Sequence, residues 1–519
     1  MRNKMKNSKR TCFFSYAALI SLLTLLMTLV LFASNPPQET ETIVIDAAAR
    51  GNPFPHFWER VFGSGRAVLS LRESYRQDLK EVRSITQMQY VRCHAIFHDE
   101  IGLYREDSSG QPVYNFTYID QIYDGFLQNG VRPFVELSFM PRQMAASLIE
   151  HPFWYKPIVA PPKSWDRWED LIYRFAQHLV DRYGIEEVAQ WYFEVWNEPN
   201  IDFWAGQPKE STYYDLYSSS ARALKRVSSR LRIGGPATAQ AAWVDRFIEH
   251  CVKSGTPVDF VSTHVYANDT AQNVFDTNED IPRSDMVARA VRKVYDQVKS
   301  SARPDLPIHW TEYNASYMNE VDVTDSPFMG PWIANTIRLC DGLTTTMSYW
   351  TVSDVFEEQG VAPRPFYGGF GLIAPGGIPK ASFNAFKLLH MLGTERTGNT
   401  SSSVIATRRP EGSLALAIWN YSPPGKQGEE KHINLVFNNL KGLKKVRISR
   451  VDRDHGSALT AWEAMGRPQF PLREQQQALR SAAKLPPDEE RFLTVQAGKA
   501  STQIILPSQC LVLVEVVVK

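Results

Sequence analysis

The chain repeats one alternation between about residues 55 and 395. A short apolar run, typical of a buried strand, is followed each time by a longer pattern with apolar residues at helical spacing. The strand-like runs are "RVFGSG", "QYVRCHAIF", "RPFVELSF", "WYFEVWNE", "RIGGPA", "VDFVSTHVY", "PIHWTEYN" and "TTTMSYWTV". Because eight strands alternating with helices are typical of a (β/α)8 barrel, we predict an α/β fold with a TIM barrel over residues 55–395.

The pattern changes near residue 396. From there to residue 519 the apolar runs are short, alternate with polar residues and lack helical spacing. This is typical of an all-β sandwich, and we predict one appended to the barrel. Residues 42–54, which include "TIVIDAA", could add an N-terminal strand to the same sandwich.

The N-terminus is a separate region covering residues 1–41. Its first ten residues are basic and contain no acid, and residues 11–34 carry no charge. Such a segment predicts export, either as a cleaved signal peptide or as a membrane anchor followed by a short linker. We therefore expect the body of the protein to lie in the periplasm or outside the cell, and membrane anchoring remains an open alternative.

Composition excludes several classes of partner. The 57 Lys and Arg residues balance 56 Asp and Glu residues, so the formal net charge of +1 does not favour binding to nucleic acid. The five cysteines show no CxxC spacing, and no phosphate-binding loop or HExxH motif occurs. We therefore predict no metal and no cofactor. The sequence does not specify an oligomeric state.

Two glutamates end strand-like runs on opposite sides of the predicted barrel. The fourth run ends in Asn197-Glu198-Pro199, and the seventh contains Thr311-Glu312 near its end. Because the C-terminal ends of barrel strands share one mouth, both carboxyl groups should point into the same cavity. A single glutamate at a strand end is as often part of a salt bridge as it is catalytic. Two glutamates that face each other across the mouth favour glycoside hydrolysis.

The surroundings suggest different roles for the two carboxyl groups. The apolar strand before Glu198 should raise the pKa of its carboxyl group by desolvation, so that it can donate a proton. Glu312 would then be the ionised carboxylate that attacks the sugar. Asn197 can offer its amide to a sugar hydroxyl, and Pro199 ends the strand ladder.

Many stretches of the chain resemble glycoside hydrolase family 39, the family of β-xylosidases and α-L-iduronidases. The similar stretches include "YVRCHAIFHDEIGLYR", "WYFEVWNEPNIDFW", "STHVY", "TEYNASY" and "YWTVSDVFEEQG", and the resemblance covers about residues 55–395. It implies a retaining double displacement in which Glu198 is the general acid/base and Glu312 is the nucleophile.

The same resemblance implies a set of substrate-binding residues, namely His94, Asn197, His264, Tyr266, Trp350 and Glu357. A packed core position is the alternative for His94, His264 and Trp350. For Glu357 the alternative is that its neighbour Glu358 points inward instead.

The resemblance leaves the sugar open. An exo-acting β-xylosidase, which removes sugars from non-reducing ends of oligosaccharides or glycosides, is the leading interpretation. The alternatives are an α-L-arabinofuranosidase, a β-galactosidase, an α-L-iduronidase and, in a different class, a carbohydrate-binding protein without turnover. An iduronidase must also hold a sugar carboxylate, which requires Arg, Lys or backbone amides at the mouth, and Arg364 is a candidate.

Overall fold

The computed structural model describes residues 40–426 and 428–517. The segment predicted to be a signal peptide or membrane anchor lies outside the described residues. Among the helices within these ranges, none has the length and apolar character needed to cross a bilayer.

Two strands precede the barrel, β1 (Thr40–Asp46) and β2 (Asn52–Pro53). The strands of the barrel region follow in chain order: β3 (Val61–Arg66), β4 (Tyr90–His94), β5 (Tyr104–Glu106), β6 (Pro112–Tyr114), β7 (Arg132–Leu137), β8 (Tyr192–Val195), β9 (Arg232–Thr238), β10 (Phe260–Tyr266), β11 (Ile308–Asn314) and β12 (Thr346–Tyr349). All of these except the hairpin β5–β6 form one closed parallel barrel, in which β12 pairs with β3. The predicted (β/α)8 fold is confirmed, and each predicted run overlaps one barrel strand.

Helices surround the barrel. In chain order they are α1 (Glu73–Ser84), α2 (Thr117–Gln128), α3 (Trp165–Tyr183), α4 (Ile185–Val188), α5 (Lys209–Val227), α6 (Val244–Ser254), α7 (Ala271–Phe275), α8 (Met286–Ser300), α9 (Val321–Thr324), α10 (Met329–Cys340) and α11 (Ala381–His390). Short 3-10 turns cover Ala67–Leu71, Asp99–Ile101 and Ala239–Ala241.

Helix α3 shows why these segments are helical. Trp168, Leu171, Phe175 and Leu179 recur at helical spacing and are buried against the barrel. The Ser164 side chain caps the first turn by accepting a hydrogen bond from the Arg167 backbone N–H. The helix ends at a glycine, position 184, whose φ of +80° is unfavourable for other residues.

The C-terminal domain is built from two sheets. After the hairpin β13 (Ile373–Ala374) and β14 (Ile378–Pro379), its strands are β15 (Glu395–Thr397), β16 (Val404–Arg408), β17 (Leu414–Asn420), β18 (Lys431–Asn438), β19 (Lys444–Val451), β20 (Glu489–Leu493), β21 (Ala500–Leu506) and β22 (Cys510–Val517). One sheet has the order β1-β18-β21, and the other has the order β2-β15-β16-β17-β22-β19-β20. The N-terminal strand β1 therefore lies in the C-terminal domain, parallel to β18.

The C-terminal domain is not all-β as predicted. Two helices, α12 (Leu459–Ala464) and α13 (Arg473–Ala482), lie between β19 and β20. Leu459 and Trp462 of α12 and Leu479 of α13 pack against Phe366 and Ile378, which belong to the segment that follows β12. The sequence signal was weak because Leu479 is the one buried residue of α13.

Candidate active site

A cavity of about 350 Å³ opens at the mouth formed by the C-terminal ends of the barrel strands. Its walls are formed by strand ends and by the loops that follow them, as the barrel fold predicts. The lining residues are His94, His151, Phe153, Asn197, Glu198, Ile201, Phe203, Ala239, Gln240, Tyr266, Asp269, Glu312, Tyr317, Trp350, Glu358, Gln359 and Phe370.

Glu198 and Glu312 face each other inside this cavity. A carboxylate oxygen of each lies within 4.8 Å of the other. His264 lies beside both, with its Nδ1 atom 2.9 Å from Glu198 Oε1 and 3.7 Å from Glu312 Oε1. Such a short separation fits a retaining glycosidase, in which the carboxyl groups are about 5–5.5 Å apart, rather than an inverting enzyme, which needs about 6.5–9.5 Å.

Glu198 is placed in an environment that favours its neutral form. Burial is the main cause that raises the pKa of its carboxyl group well above the usual value, and the negative charges of Glu312 and Asp269 raise it further. Its backbone has a φ of +46°, an uncommon conformation for a residue with a side chain. A carboxyl group held neutral in this way can act as a proton donor.

Glu312 receives hydrogen bonds that compensate its negative charge. Arg92 Nη1 lies 2.7 Å from Glu312 Oε1, and the Tyr266 hydroxyl donates to Glu312 Oε2 at 2.6 Å. Burial and the nearby Glu312 raise the pKa of Tyr266 well above its usual value, so its hydroxyl keeps the proton that it donates. The surroundings of the two opposed carboxyl groups therefore differ: burial favours the neutral form of Glu198, whereas Glu312 accepts hydrogen bonds from a guanidinium and a hydroxyl.

Arg92 is a fully buried cation beneath the cavity, and sequence reasoning missed it. Its guanidinium contacts Glu136 at 2.8 Å, Glu194 at 2.5 Å and Glu312 at 2.7 Å. Burial opposes its charge, but the three carboxylates outweigh this effect and raise the pKa of Arg92 above its usual range. An arginine inside the apolar run "YVRCH" was the available signal, because charged residues are seldom fully buried without partners.

Four of the predicted substrate-binding residues line the cavity: His94, Asn197, Tyr266 and Trp350. Asn197 Oδ1 accepts a hydrogen bond from Arg92 Nη2 at 3.0 Å, which leaves the amide nitrogen of Asn197 to donate. Trp350 can lie over β3 because residue 63 is a glycine. A Cβ atom at this position would lie 2.2 Å from Trp350 Cε3.

His264 does not line the cavity. Its side chain has no exposed surface and lies behind Glu198, with Nε2 3.0 Å from Thr311 Oγ1. The structure therefore places this predicted substrate ligand as a support for Glu198. Burial is the main cause that lowers the pKa of His264 well below its usual value, and Arg92 and His94 lower it further, so the imidazole is neutral.

Glu357 is not at the cavity either. Both of its carboxylate oxygens are engaged by arginines, Oε2 by Arg66 at 2.8 Å and Oε1 by Arg72. The next residue, Glu358, points into the cavity in its place, with Oε1 3.7 Å from His94 Nε2. Burial raises the pKa of Glu358 well above its usual value, and the charges of Glu312 and Glu136 add to this.

Loop residues that carry no sequence motif complete the cavity. His151 and Phe203 stack with ring centroids 3.9 Å apart and form an aromatic wall together with Phe153. Asp269 also lines the cavity, and burial raises its pKa to about 6. These residues come from irregular loops, where no periodicity indicates which side chain faces inward.

The cavity lining is acidic and, within the part of the chain that the structure describes, contains no arginine or lysine. Arg364, the candidate for holding a sugar carboxylate, donates instead to the backbone oxygen of Phe366 and does not reach the lining. The lining therefore suits a neutral sugar better than a uronic acid.

Among the described residues, two side-chain groups bring three metal-ligating atoms within 4.8 Å of one another: Glu198 with His264 and Glu312, and His56 with Glu59 and His390. In each group one His Nδ1 atom lies close to a carboxylate oxygen, at 2.9 Å and 2.6 Å respectively. Two ligands of one tetrahedral zinc ion are about 3.3 Å apart. We therefore interpret both groups as hydrogen-bonded clusters.

Replacing Glu198 by glutamine should stabilise the fold. A carboxyl group whose pKa is raised on folding contributes its stability below the unfolded pKa of about 4.3 and loses it as pH rises. We expect Glu198→Gln to raise the free energy of unfolding at pH 8, and the gain to shrink towards pH 5. Urea denaturation at both pH values measures this.

The matched control is Glu249→Gln, which changes an exposed carboxylate and should alter the free energy of unfolding by less than about 0.5 kcal/mol. A Glu198→Gln protein that is less stable than the unchanged protein at pH 8 would contradict the assigned environment.

Known proteins that are similar to this chain are glycoside hydrolases, as the pair of opposed carboxyl groups suggests. Residues 41–499 match the model of the Glycosyl hydrolases family 39. The chain is 37% identical to the β-xylosidase of Geobacillus stearothermophilus over 485 residues, which cover 91% of this chain and 95% of that protein. It is similar in structure to a monomeric β-xylosidase from Caulobacter crescentus CB15, with a TM-score of 0.84 and 36% identity over 92% of this chain and 99% of that one.

A more distant relative is the α-L-iduronidase of Homo sapiens, which is 23% identical over 525 residues, covering 89% of this chain and 76% of that protein. The family match spans nearly all of the described residues and includes both opposed glutamates. The chain therefore belongs to glycoside hydrolase family 39 and is a glycoside hydrolase.

Proposed function

We propose that the protein is an exo-acting retaining β-xylosidase. The observation that carries this proposal is the pair of opposed carboxyl groups, one held neutral and one charge-compensated, in a cavity whose described lining contains no arginine or lysine. The cavity volume of about 350 Å³ lies at the small end of the range for ligand pockets, which favours a terminal sugar over an internal segment of a polymer.

The reaction proceeds by double displacement. The Glu198 carboxyl group donates its proton to the glycosidic oxygen while a Glu312 oxygen attacks the anomeric carbon, which gives a glycosyl-enzyme ester and a free leaving group. The ionised Glu198 then removes a proton from water, and the resulting hydroxide displaces Glu312 from the anomeric carbon. The enzyme returns to its starting protonation, and two inversions give net retention.

The remaining groups in the cavity are assigned to holding the sugar. The free amide nitrogen of Asn197 donates to a hydroxyl next to the anomeric carbon, and Tyr266, Trp350, Phe356 and Phe370 form a buried aromatic cluster beside it. Glu358 replaces Glu357 as the acid that binds sugar hydroxyls, because Glu358 faces the cavity.

The choice of xylose rests on the relatives rather than on a contact. The β-xylosidases at 36–37% identity cover at least 85% of this chain, whereas the iduronidases are 22–25% identical. The lack of a lining arginine or lysine within the described residues also disfavours an iduronide. Both reactive carboxyl groups are in place, which disfavours a carbohydrate-binding protein without turnover.

A panel of nitrophenyl glycosides tests the sugar. We expect 4-nitrophenyl β-D-xyloside to give the highest kcat/KM, ahead of the α-L-arabinofuranoside, the β-D-galactoside and an α-L-iduronide. Proton NMR of the first product should show retained β configuration. Hydrolysis of none of these substrates would favour the binding-protein alternative, and an inverted product would contradict the double displacement.

Two variants test the roles of the carboxyl groups. Glu312→Ala should abolish turnover, because it removes the carboxylate that forms the glycosyl ester. Glu198→Ala should lower kcat/KM by about 10²–10⁴-fold for substrates with poor leaving groups and much less for the 2,4-dinitrophenyl glycoside, which needs no protonation. Equal losses on both substrates would contradict the assignment of Glu198 as the acid.

Glu358→Gln tests the corrected position of the sugar-binding acid. Burial favours the neutral form of Glu358, and loss of a neutral hydrogen bond to the sugar costs about 0.5–1.5 kcal/mol, so kcat/KM should fall roughly 2- to 10-fold. The matched control is Glu357→Gln, which should lower thermal stability through Arg66 and Arg72 and change kcat/KM less. A larger loss of kcat/KM in Glu357→Gln than in Glu358→Gln would support Glu357 as the acid that binds the sugar.

We further propose that the chain is exported, since its basic and apolar N-terminus is followed by a folded body. Expression of the full chain in a bacterial host, followed by fractionation and N-terminal sequencing, distinguishes a cleaved signal peptide from a membrane anchor. A shortened soluble protein outside the inner membrane indicates a signal peptide, and an intact protein that resists carbonate extraction indicates an anchor. An intact, soluble cytoplasmic protein would contradict export.

A further inference from the structure

A chain of buried hydrogen bonds leads from the acid Glu198 to the cation Arg92. Glu198 Oε1 lies 2.9 Å from His264 Nδ1, and His264 Nε2 lies 3.0 Å from Thr311 Oγ1. Thr311 Oγ1 lies 2.7 Å from Glu194 Oε1, and Glu194 Oε2 lies 2.5 Å from Arg92 Nε. Thr311 and Glu194 do not line the cavity, and both are buried.

The direction of each hydrogen bond follows from what each group can donate. A guanidinium only donates, so Glu194 Oε2 accepts from Arg92 Nε. Burial raises the pKa of Glu194, and the charge of Arg92 lowers it. Thr311 has a single hydroxyl proton and gives it to Glu194, and its oxygen must therefore accept from His264. The neutral His264 thus carries its proton on Nε2, and its Nδ1 presents a lone pair to Glu198.

We propose that Glu194 and Thr311 are positioning residues that fix His264 in its Nε2–H tautomer, so that the Nδ1 lone pair keeps the acid proton on Glu198. This inference rests on the proposed function of Glu198 as the general acid/base. His264 itself neither gains nor loses a proton during the reaction.

The fixed tautomer affects both halves of the reaction. In the first half, the proton that Glu198 shares with His264 Nδ1 passes to the glycosidic oxygen, and the bond from the anomeric carbon to that oxygen breaks. The ionised Glu198 then faces a lone pair instead of a donor. A carboxylate that lacks this hydrogen bond is a stronger base, so it takes a proton from water more readily in the second half.

Other charged groups also act on Glu198. Glu312, Asp269 and Glu358 favour its neutral form, whereas Arg92 favours its charged form. A change at Thr311 leaves the charge of all four groups intact, so its effect can be separated from theirs.

Thr311→Val removes the hydroxyl with little change of shape. The imidazole is then free to adopt the Nδ1–H tautomer and donate to the Glu198 carboxylate, which lowers the pKa of Glu198. We expect the alkaline limb of kcat/KM for 4-methylphenyl β-D-xyloside to move down by about one pH unit, which is a loss of about 10-fold at pH values above the original limb. The 2,4-dinitrophenyl β-D-xyloside should change much less.

Thr311→Ser keeps the hydroxyl and should restore the original pH profile. A Thr311→Val protein with an unshifted alkaline limb, a serine variant shifted as far as the valine variant, or equal losses on both substrates would overturn the proposal. Thermal unfolding of all variants shows that the proteins compared are folded.

Glu194→Gln provides a second variant, which also serves if the valine variant does not fold. Its amide oxygen replaces Glu194 Oε2 beside Arg92, so its NH2 group donates to Thr311, whose hydroxyl then donates to His264 Nε2. His264 would turn to the Nδ1–H tautomer, and the alkaline limb should again move down. An unchanged limb in this variant would overturn the proposal.

The role of Glu198 and the role of Thr311 and Glu194 can be tested separately. If Glu198→Ala loses the same factor on activated and poor substrates, the proposed function of Glu198 is wrong. If Glu198→Ala discriminates between the substrates but Thr311→Val keeps the original pH profile, only the role of Thr311 and Glu194 is wrong.

Discussion

The site depends on a charge that the barrel buries, the guanidinium of Arg92. Transfer of such an ion from water into the protein interior costs several kcal/mol unless partners compensate it. Arg92 lies on β4, and its partners Glu136, Glu194 and Glu312 lie on β7, β8 and β11. One cation thereby holds side chains from three other barrel strands in fixed positions, and one of them is the proposed nucleophile.

The same cation explains why the two opposed carboxyl groups differ. Arg92 donates to Glu312 directly, whereas Glu198 has the neutral His264 as its hydrogen-bond partner. Burial is the main cause that disfavours a negative charge on Glu198 or Glu358, and the nearby charge of Glu312 adds to it. Environments that push two carboxyl groups to different protonation states are what the proposed reaction requires.

The sequence predicted the features that depend on periodicity and missed those that depend on distant pairing. The barrel was predictable because its strands and helices have different spacings of apolar residues, and Glu198 and Glu312 were predictable because strand ends share one mouth. Arg92 could not be assigned, since its partners lie up to 220 residues away. Glu357 and Glu358 are adjacent in a loop, where no period indicates which one faces inward, and the position of Arg66 and Arg72 decided it.

The C-terminal domain supports one wall of the cavity without lining it. The segment after β12 carries the lining residues Glu358 and Phe370. Phe366 of this segment packs against Trp462 of α12, with ring centroids 5.4 Å apart.

On the barrel side, the buried Lys380 forms ion pairs with Asp325 at 2.6 Å and Asp354 at 2.7 Å. The same two aspartates accept the backbone N–H groups of residues 368 and 371, which flank Phe370. One wall of the cavity is therefore held from both sides, by a buried ion cluster of the barrel and by a helix inserted in the second domain. The position of Glu358 is consequently a property of both domains, although every lining residue belongs to the barrel region.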